Sequence, residues 1–298
     1  MANFADILDG DELDNKYAGK VIVYVEAEAD ANLFNKLIGP GWAELIEFKV
    51  PPVGGAGCGP AKARVKIERQ TNSKVFALID GEAAVEAVDG FDKLLDCSLP
   101  IFVTDDPELE GVLFIGEHEV ENILLRKGDL CNYIVADTTL SAMGRNNPAD
   151  VRLVLERIVA LYLLGALCKY ASARLHSNGQ MSGILDTKIF GSETSRLRPL
   201  IFAKLKEQVE AAQGSWDEFR NELKDLIRKV SFKIKSLDAE HGYDERARLA
   251  DGKAVLKKIK NKYGINSRWE GHLASEIAKH SYASEFRENL FSRTGIQI

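Results

Sequence analysis

The sequence constrains the fold most strongly between residues 20 and 125, where short apolar runs alternate with amphipathic segments. The runs are rich in the β-branched and aromatic residues typical of buried strands, and they lie at 21–26, 47–52, 74–81, 101–106 and 111–116. The last run is predicted to be an edge strand, and the segments at 30–39 and 85–96 have helical spacing. Strands that alternate with helices form parallel sheets covered by helices, so the pattern predicts a mostly parallel α/β domain over residues 1–147.

The strand pattern stops at about residue 148, and the rest of the chain has helical periodicity. Segment 148–175 is apolar nearly all round in its middle, which is typical of a buried helix or of a subunit interface. Pairing in a homodimer and packing within one chain explain this pattern equally well. Candidate caps and stops of further helices are Ser215, Asp251 and Gly264. We expect an all-helical C-terminal domain over residues 148–298, with the boundary in the loop at 141–150.

The composition of the chain excludes several classes of protein. Its 298 residues are 45% hydrophobic and 28% charged, so the chain can bury a full core and is neither disordered, collagen-like nor a disulfide-stapled miniprotein. The 4 cysteines are widely separated and have no histidine at zinc-ligand spacing. The N-terminus is acidic, and the longest apolar run, 158–168, is shorter than the roughly 20 residues that span a bilayer. We expect a soluble cytoplasmic protein without a membrane partner.

The formal net charge of −6 conceals two halves of opposite sign. Residues 1–150 carry 13 basic and 27 acidic side chains, whereas residues 151–298 carry 26 basic and 18 acidic side chains. A basic second half favours contact with nucleic acid or with an acidic partner. The alternative is two solvated surfaces of different composition.

Acidic residues follow two of the predicted strands. Glu26, Glu28 and Asp30 follow the first strand, and Asp80 and Glu82 follow the third. Ligands of parallel α/β sheets bind at the carboxyl ends of strands, so Glu26, Asp80 and Glu82 meet in one cleft if the two strands are neighbours. Crowded carboxylates need a cation, and Mg²⁺ prefers oxygen ligands of this kind. The alternative is that the aspartates cap helices or close turns.

The order of these motifs resembles the TOPRIM domain of topoisomerases, primases and OLD-type nucleases. The resemblance covers residues 20–125 and rests on VIVYVEAEAD (21–30), VFALIDGE (75–82) and GEHEVENILL (116–125). The Glu121-Asn122 pair in the third motif is similar to an extended TOPRIM branch of bacterial anti-phage defence. With its helical second half and its DGKAVLKKI stretch (251–259), the chain looks most like the TOPRIM nuclease effector of PARIS two-component systems. The implied fold is a Rossmann-like TOPRIM sheet followed by the helical domain.

The resemblance implies a partner, a substrate and a cofactor. In PARIS systems an ABC-type ATPase holds the nuclease, a viral anti-restriction protein triggers its release, and the freed nuclease cleaves tRNA and halts translation. The resemblance therefore implies a Mg²⁺-dependent phosphodiesterase, with Mn²⁺ as the alternative ion, that acts on host tRNA. The apolar helix at 151–170 offers a pairing surface for a homodimer of the released form, and packing within one chain explains its composition equally well.

The resemblance also assigns roles to individual residues. Glu26 corresponds to the general acid or base beside the scissile phosphate. Asp80 and Glu82 correspond to the residues that hold one Mg²⁺ ion. Asp30 and Glu121 correspond to residues that orient a second ion or its waters. Two positions depart from the family pattern, because Ala27 stands where glycine is usual and Glu82 stands where aspartate is usual. The longer glutamate carries its oxygens one methylene further out, so we expect either a shifted coordination of the ion or looser binding.

Basic residues are the candidates for contact with nucleic acid or a partner. Lys62 and Arg64 follow a glycine-rich loop (54–60) that fails the Walker pattern, because Pro60 stands where lysine is required. An amphipathic helix carries a basic face whose helical spacing suits a phosphate backbone, formed by Lys253, Lys257 and Lys260. The alternatives are a flexible connection for the loop and an ordinary solvated face for the helix.

Other residues are assigned no catalytic role. His118 is expected to face solvent in a loop, with a position at the mouth of the acidic site as the alternative. Tyr162 and Tyr170 are expected to lie in the core. Two further functions stay open at this point. One is an OLD-type DNA endonuclease, and the other is a non-catalytic TOPRIM-like binding module in which Glu82 marks lost chemistry.

Overall fold

The computed structural model describes residues 19–52, 57–87, 89–136, 147–186, 190, 198–265 and 269–297. The strands are β1 (Val21–Tyr24), β2 (Ile46–Lys49), β3 (Val75–Ile79), β4 (Ile101–Phe102) and β5 (Val112–Ile115). The helices of the first half are α1 (Glu28–Ile38), α2 (Cys58–Glu68), α3 (Gly90–Asp96), α4 (Glu121–Lys127) and α5 (Leu130–Ala136). The helices of the second half are α6 (Pro148–Ser177), α7 (Arg198–Ala211), α8 (Trp216–Lys235), α9 (Ala239–Leu249), α10 (Gly252–Tyr263), α11 (Trp269–Ile277) and α12 (Ser281–Thr294).

The chain divides into two compact units, each built from separate stretches of sequence. The first unit comprises the described residues of Met1–Asp80, Ser98–Ile115 and Ala274–Ile298. The second comprises those of Gly81–Cys97 and Gly116–Leu273. This division differs from the boundary at residue 147 predicted from the sequence. Most of the predicted boundary loop, residues 141–146, lies outside the described residues.

The first unit is built on a five-stranded sheet with the order β2-β1-β3-β5-β4. The β2, β1, β3 and β5 strands are parallel, and β4 pairs with β5 in the antiparallel direction. β1 and β3 are neighbours, with Ile22 in register with Val75. The predicted α/β class with a mostly parallel sheet is therefore confirmed.

The burial of the strands follows their positions in the sheet. All four residues of β1 and of β5 are buried, as expected for strands that are covered on both faces. The outer strand β2 alternates between buried and partly exposed residues. The prediction of an edge strand at 111–116 is wrong, because β5 lies between β3 and β4. The short β4 takes the edge, where Ile101 N donates a hydrogen bond to Asn289 Oδ1 at 2.9 Å.

The C-terminal helix α12 packs against α1 within the first unit. Phe286 of α12 stacks on Phe34 of α1 with ring centroids 5.4 Å apart, and Phe34 also contacts Phe48 of β2 at 5.6 Å. Such aromatic pairs contribute about 0.5–1.5 kcal/mol each beyond the burial of their area. Residues 281–294 therefore belong with the sheet, whereas the sequence pattern placed them in the C-terminal helical domain.

Helix α6 is the longest helix of the second unit and contacts α5, α8, α9 and α10. Residues in its middle, such as Val159, Leu163 and Leu167, are buried, which agrees with a segment that is apolar nearly all round. Tyr162 and Tyr170 are also buried, as predicted. Within the described part of the chain, no helix combines the length and the apolarity that crossing a membrane requires.

Local signals at helix ends agree with the structure. The Ser215 side chain accepts a hydrogen bond from Glu218 N, and the Asp251 side chain accepts one from Ala254 N. Gly264 adopts the left-handed conformation with φ of 63° where α10 ends. The two predicted caps and the predicted helix stop are therefore confirmed.

A buried arginine fixes the segment 81–97 inside the second unit. The Arg248 guanidinium donates to the carbonyl oxygens of Leu94 and Gly116, both at 2.7 Å, and to Leu95 O at 3.0 Å. It also pairs with the Glu245 carboxylate at 2.6 Å and 3.0 Å. Arg248 is 3% exposed, so these bonds are shielded from water and stronger than surface pairs.

Candidate metal centre

The structure brings Glu26 and Asp80 together in the first unit. Glu26 follows β1 and Asp80 follows β3, and the carboxyl ends of these neighbouring parallel strands lie side by side. Glu26 Oε1 accepts a hydrogen bond from Asp80 N at 3.0 Å, while Glu26 O accepts one from Gly57 N at 2.9 Å. Asp80 is buried and Glu26 is half-buried. A ligand that reaches this edge of the sheet therefore meets an oriented Glu26 carboxylate.

Asp30 has a structural role at the start of α1. Its Oδ2 accepts a hydrogen bond from Ala27 N at 3.0 Å, which satisfies a backbone donor at the beginning of the helix. This is the capping role that the sequence left open for Asp30. Its carboxylate also lies in the first turn, where the helix dipole favours a negative charge.

The second unit assembles a different group of ligands around Glu82. The 3₁₀ helix Gly81–Glu86 begins with two backbone hydrogen bonds, from Gly81 N to Glu117 O at 3.1 Å and from Glu82 N to His118 O at 2.9 Å. These bonds hold the two segments side by side. As a result, one ligand atom from each of Glu82, His118 and Glu119 lies within 4.8 Å of the other two.

His118 is buried, so the prediction that it faces solvent in a loop is wrong. Its exposed fraction is 1%, because its ring packs edge-on against Tyr170 with centroids 5.3 Å apart. The His118 Nδ1 atom is hydrogen-bonded to the Tyr170 hydroxyl. The Nε2 atom lies 3.4 Å from Glu82 Oε2. The ring therefore presents one nitrogen to the tyrosine and the other to the carboxylate.

Glu119 is held at both its backbone and its side chain. Its N–H donates to Asn122 Oδ1 at 2.8 Å, and its Oε2 accepts a hydrogen bond from Lys253 N at 2.8 Å. The Lys253 ammonium lies 3.6 Å from Glu119 Oε1. Burial, with the nearby Asp251 charge, holds the pKa of Glu119 well above its ordinary value of 4.5 against the effect of Lys253. Placing the Glu82 and Glu119 carboxylates together in this buried group therefore costs electrostatic free energy.

Among the described residues, Lys169 of α6 supplies a cation to Glu82, and the two side chains form an ion pair. Burial alone raises the pKa of Glu82, but the electrostatic effects of the neighbouring His118 and Lys169 outweigh burial and hold this pKa below its ordinary value. Burial lowers the pKa of Lys169, and Glu82 outweighs that effect and raises it above 10.5. Glu82 is therefore kept ionised, whereas Glu119, whose pKa is raised, has to lose its proton before it can bind a metal ion.

The remaining predicted residues lie at three places. Glu121 begins α4, and its Oε2 is 3.8 Å from Lys253 Nζ. The Lys253 side chain therefore lies near Glu119 and Glu121 of its own chain. Lys257 is exposed and Lys260 half-exposed on α10. In the first unit, Arg64 of α2 pairs with Glu68.

Lys62 lines a cleft of about 340 Å³ in the first unit. The cleft also carries two cation–carboxylate pairs, Lys66 with Glu108 at 2.5 Å and Arg69 with Glu110 at 3.1 Å. Its charge is therefore mixed rather than uniformly basic.

Sequence reasoning missed the contributions of His118, Glu119 and Lys169. A usable signal existed for the first two, because the stretch 116–119 directly follows the buried strand β5, as Glu26 and Asp80 follow their strands. Lys169 gave no such signal, since it lies on an apolar helix 87 residues further along the chain than Glu82.

Comparison with protein-family models and with curated proteins finds no match for this chain. The chemistry of the site therefore has to be judged from its own atoms. Carboxylate oxygens suit Mg²⁺ and Mn²⁺, and an imidazole nitrogen suits Zn²⁺, Fe²⁺ and neighbouring transition metals. The donor set of Glu82, His118 and Glu119 fits a divalent metal ion.

Proposed function

We propose that the protein is a metal-dependent phosphodiesterase that cleaves nucleic acid with Glu26 as its general acid or base. The observation that carries the proposal is the hydrogen bond from the Asp80 backbone N–H to Glu26 Oε1, at the carboxyl ends of the neighbouring parallel strands β1 and β3. In α/β sheets of this kind, ligands bind at that edge. The order of the acidic motifs along the chain, which resembles TOPRIM nucleases, supports the same reaction class.

The contacts of Glu26 suit a role in proton transfer. The Asp80 N–H holds one carboxylate oxygen at 3.0 Å and thereby orients the other, while the half-buried position keeps the group within reach of a substrate. In the proposed reaction, Glu26 takes a proton from the attacking group or gives one to the leaving oxygen. A bound divalent ion polarises the phosphoryl oxygens. The proposed carboxylate ligand in the first unit is Asp80.

The resemblance to PARIS effectors extends the proposal to a substrate and a partner. We propose host tRNA as the substrate and an ABC-type ATPase as the partner that holds the nuclease until a phage trigger releases it. The excess of basic over acidic side chains in residues 151–298 supports an anionic substrate or an acidic partner surface. A homodimer is the proposed form of the released nuclease.

The test is cleavage by the purified chain of total tRNA and of supercoiled plasmid, in Mg²⁺, in Mn²⁺ and in a chelator. Glu26→Gln removes the ionisable group at nearly constant volume, and we expect the cleavage rate to fall by about 10²–10⁴-fold. The matched control is Glu28→Gln, which changes an exposed glutamate two residues away and leaves the rate unchanged. If Glu26→Gln has an intact circular dichroism spectrum and cleaves at the wild-type rate, the assignment of Glu26 is refuted.

One observation favours a second candidate, the non-catalytic binding module. Lys169 already neutralises Glu82 through an ion pair within the chain, which lowers the need for a metal ion. The same assays separate the candidates. Loss of tRNA supports the proposal, and nicking of the plasmid alone favours an OLD-type DNA endonuclease. If neither substrate is cleaved and divalent ions leave the melting temperature unchanged, the binding module is the correct function.

A further inference from the structure

We infer that Glu82, His118 and Glu119 form a binding site for a first-row transition-metal dication and that this site binds Zn²⁺ in preference to Mg²⁺. Only a role of the bound ion in cleavage rests on the proposed function. The binding itself follows from the donor atoms of the second unit, whose three ligand atoms lie within 4.8 Å of one another.

The chemistry of the donor set separates the two ions. Mg²⁺ is a hard cation that takes oxygen ligands and keeps several waters, so an imidazole nitrogen contributes little to holding it. Zn²⁺ binds imidazole nitrogen and carboxylate oxygen with comparable ease. The replacement of one oxygen donor by His118 Nε2 therefore favours a transition metal.

The separation of two donor atoms agrees with this preference. His118 Nε2 and Glu82 Oε2 are 3.4 Å apart. Two ligands bound about 2.1 Å from a tetrahedral Zn²⁺ ion are separated by about 3.4 Å. Adjacent ligands of an octahedral Mg²⁺ ion with bonds of about 2.1 Å are only about 3.0 Å apart. The pair therefore already has the spacing of a tetrahedral edge.

Contacts around the ligands orient them as in known metal sites. Metal-bound histidines usually donate their second ring N–H to a fixed acceptor, which sets the tautomer. The Tyr170 hydroxyl lies at His118 Nδ1 and is buried, so it is placed to accept that N–H when Nε2 binds the metal. Glu119 is positioned in the same way, by Asn122 at its backbone and by Lys253 at its carboxylate.

Lys169 acts as the resident cation of this site. Its ammonium pairs with Glu82 Oε2, the oxygen that lies nearest His118 Nε2. A metal ion that binds Glu82 through this oxygen has to displace the ammonium. Removing the charge of Lys169 therefore strengthens metal binding, whereas removing a purely structural lysine does not.

The experiment is calorimetric titration of the full chain, without nucleic acid, with Zn²⁺ and separately with Mg²⁺. We expect Zn²⁺ to bind at least about 100-fold more tightly than Mg²⁺, in line with the donor set. Tyr170→Phe keeps the ring and removes the hydroxyl, and it should weaken Zn²⁺ binding about 10–100-fold. Lys169→Met should strengthen it, and His118→Gln should abolish the preference for Zn²⁺. The matched control is His241→Gln, an exposed histidine of the same unit, which should change nothing.

Several results overturn the inference. Equal affinity of the wild type for the two ions does so, as does an unchanged preference in His118→Gln. Because His118 is buried, the circular dichroism spectrum of His118→Gln is measured first. If that variant is unfolded, the milder variant Tyr170→Phe is used instead, and a Zn²⁺ affinity equal to that of the wild type decides against the site. Loss of cleavage in Glu26→Gln without any Zn²⁺ preference leaves the proposed function standing and refutes this inference alone.

Discussion

Replacing Asn122 is expected to destabilise the second unit. Its side chain is fully buried and makes three hydrogen bonds. Oδ1 accepts from Glu119 N at 2.8 Å, and Nδ2 donates to Ala247 O at 2.5 Å and to Ala250 O at 2.8 Å. At a net contribution of about 1 kcal/mol per bond, Asn122→Ala should lower the free energy of unfolding by about 3 kcal/mol.

Two companion variants separate hydrogen bonding from packing. Asn122→Asp keeps the volume and one acceptor but turns an oxygen toward two carbonyls, so it should cost at least as much as Asn122→Ala. Asn132→Ala is the matched control, because this exposed side chain donates a hydrogen bond to the nearby Asp129 Oδ2 at 2.6 Å. Its effect should stay within about 0.5 kcal/mol.

Gly252 allows an independent check of the same contact. A Cβ atom at this position would lie 2.5 Å from Asn122 Oδ1, which is closer than real contacts allow. Gly252→Ala should therefore destabilise the wild type and cost less in the Asn122→Ala background, because the clashing oxygen is then absent. This non-additivity is what a double-mutant cycle measures.

The assay is urea denaturation followed by far-ultraviolet circular dichroism, with amide exchange at Glu119 as a local readout. Loss of the bond to Asn122 Oδ1 should speed exchange of the Glu119 N–H. A change in unfolding free energy below about 1 kcal/mol for Asn122→Ala, or equal effects of Asn122→Ala and Asn132→Ala, refutes the reasoning. So does strict additivity in the cycle with Gly252→Ala.

Two further predictions concern pH and helix capping. Burial and then Asp251 hold the pKa of Glu119 well above 4.5, so the folded chain keeps this proton to higher pH than the unfolded chain. The stabilisation that comes from protonated Glu119 is complete below pH 4.5 and is lost as the pH rises through the folded-state pKa. Glu119→Gln should flatten this loss when the free energy of unfolding in urea is measured against pH. An unchanged pH profile in this variant contradicts the prediction. Ser215→Ala removes the cap that accepts from Glu218 N and should cost about 1 kcal/mol in the same assay, while no measurable change argues against the cap.

The candidate site was only partly predictable from the sequence. The acids that directly follow apolar strands, Glu26 and Asp80, stand out because each lies at the end of a continuous buried run. The prediction for His118 was wrong because a histidine in an expected loop more commonly faces solvent. Its burial depends on the edge-on contact with Tyr170, which lies on a helix 52 residues further along the chain. A contact between residues this far apart cannot be predicted from a local sequence pattern.

The sequence by itself determined the α/β class and the ends of several helices. Both depend on short-range physics, since a continuous apolar run favours a strand covered on both faces and a serine or aspartate satisfies N–H groups three residues away. Only the tertiary structure decided that β5 lies inside the sheet, that α12 packs on α1, and that Lys169 reaches Glu82. These outcomes depend on which distant surfaces fit together, and side-chain shape and buried charge decide that only when the whole chain is packed.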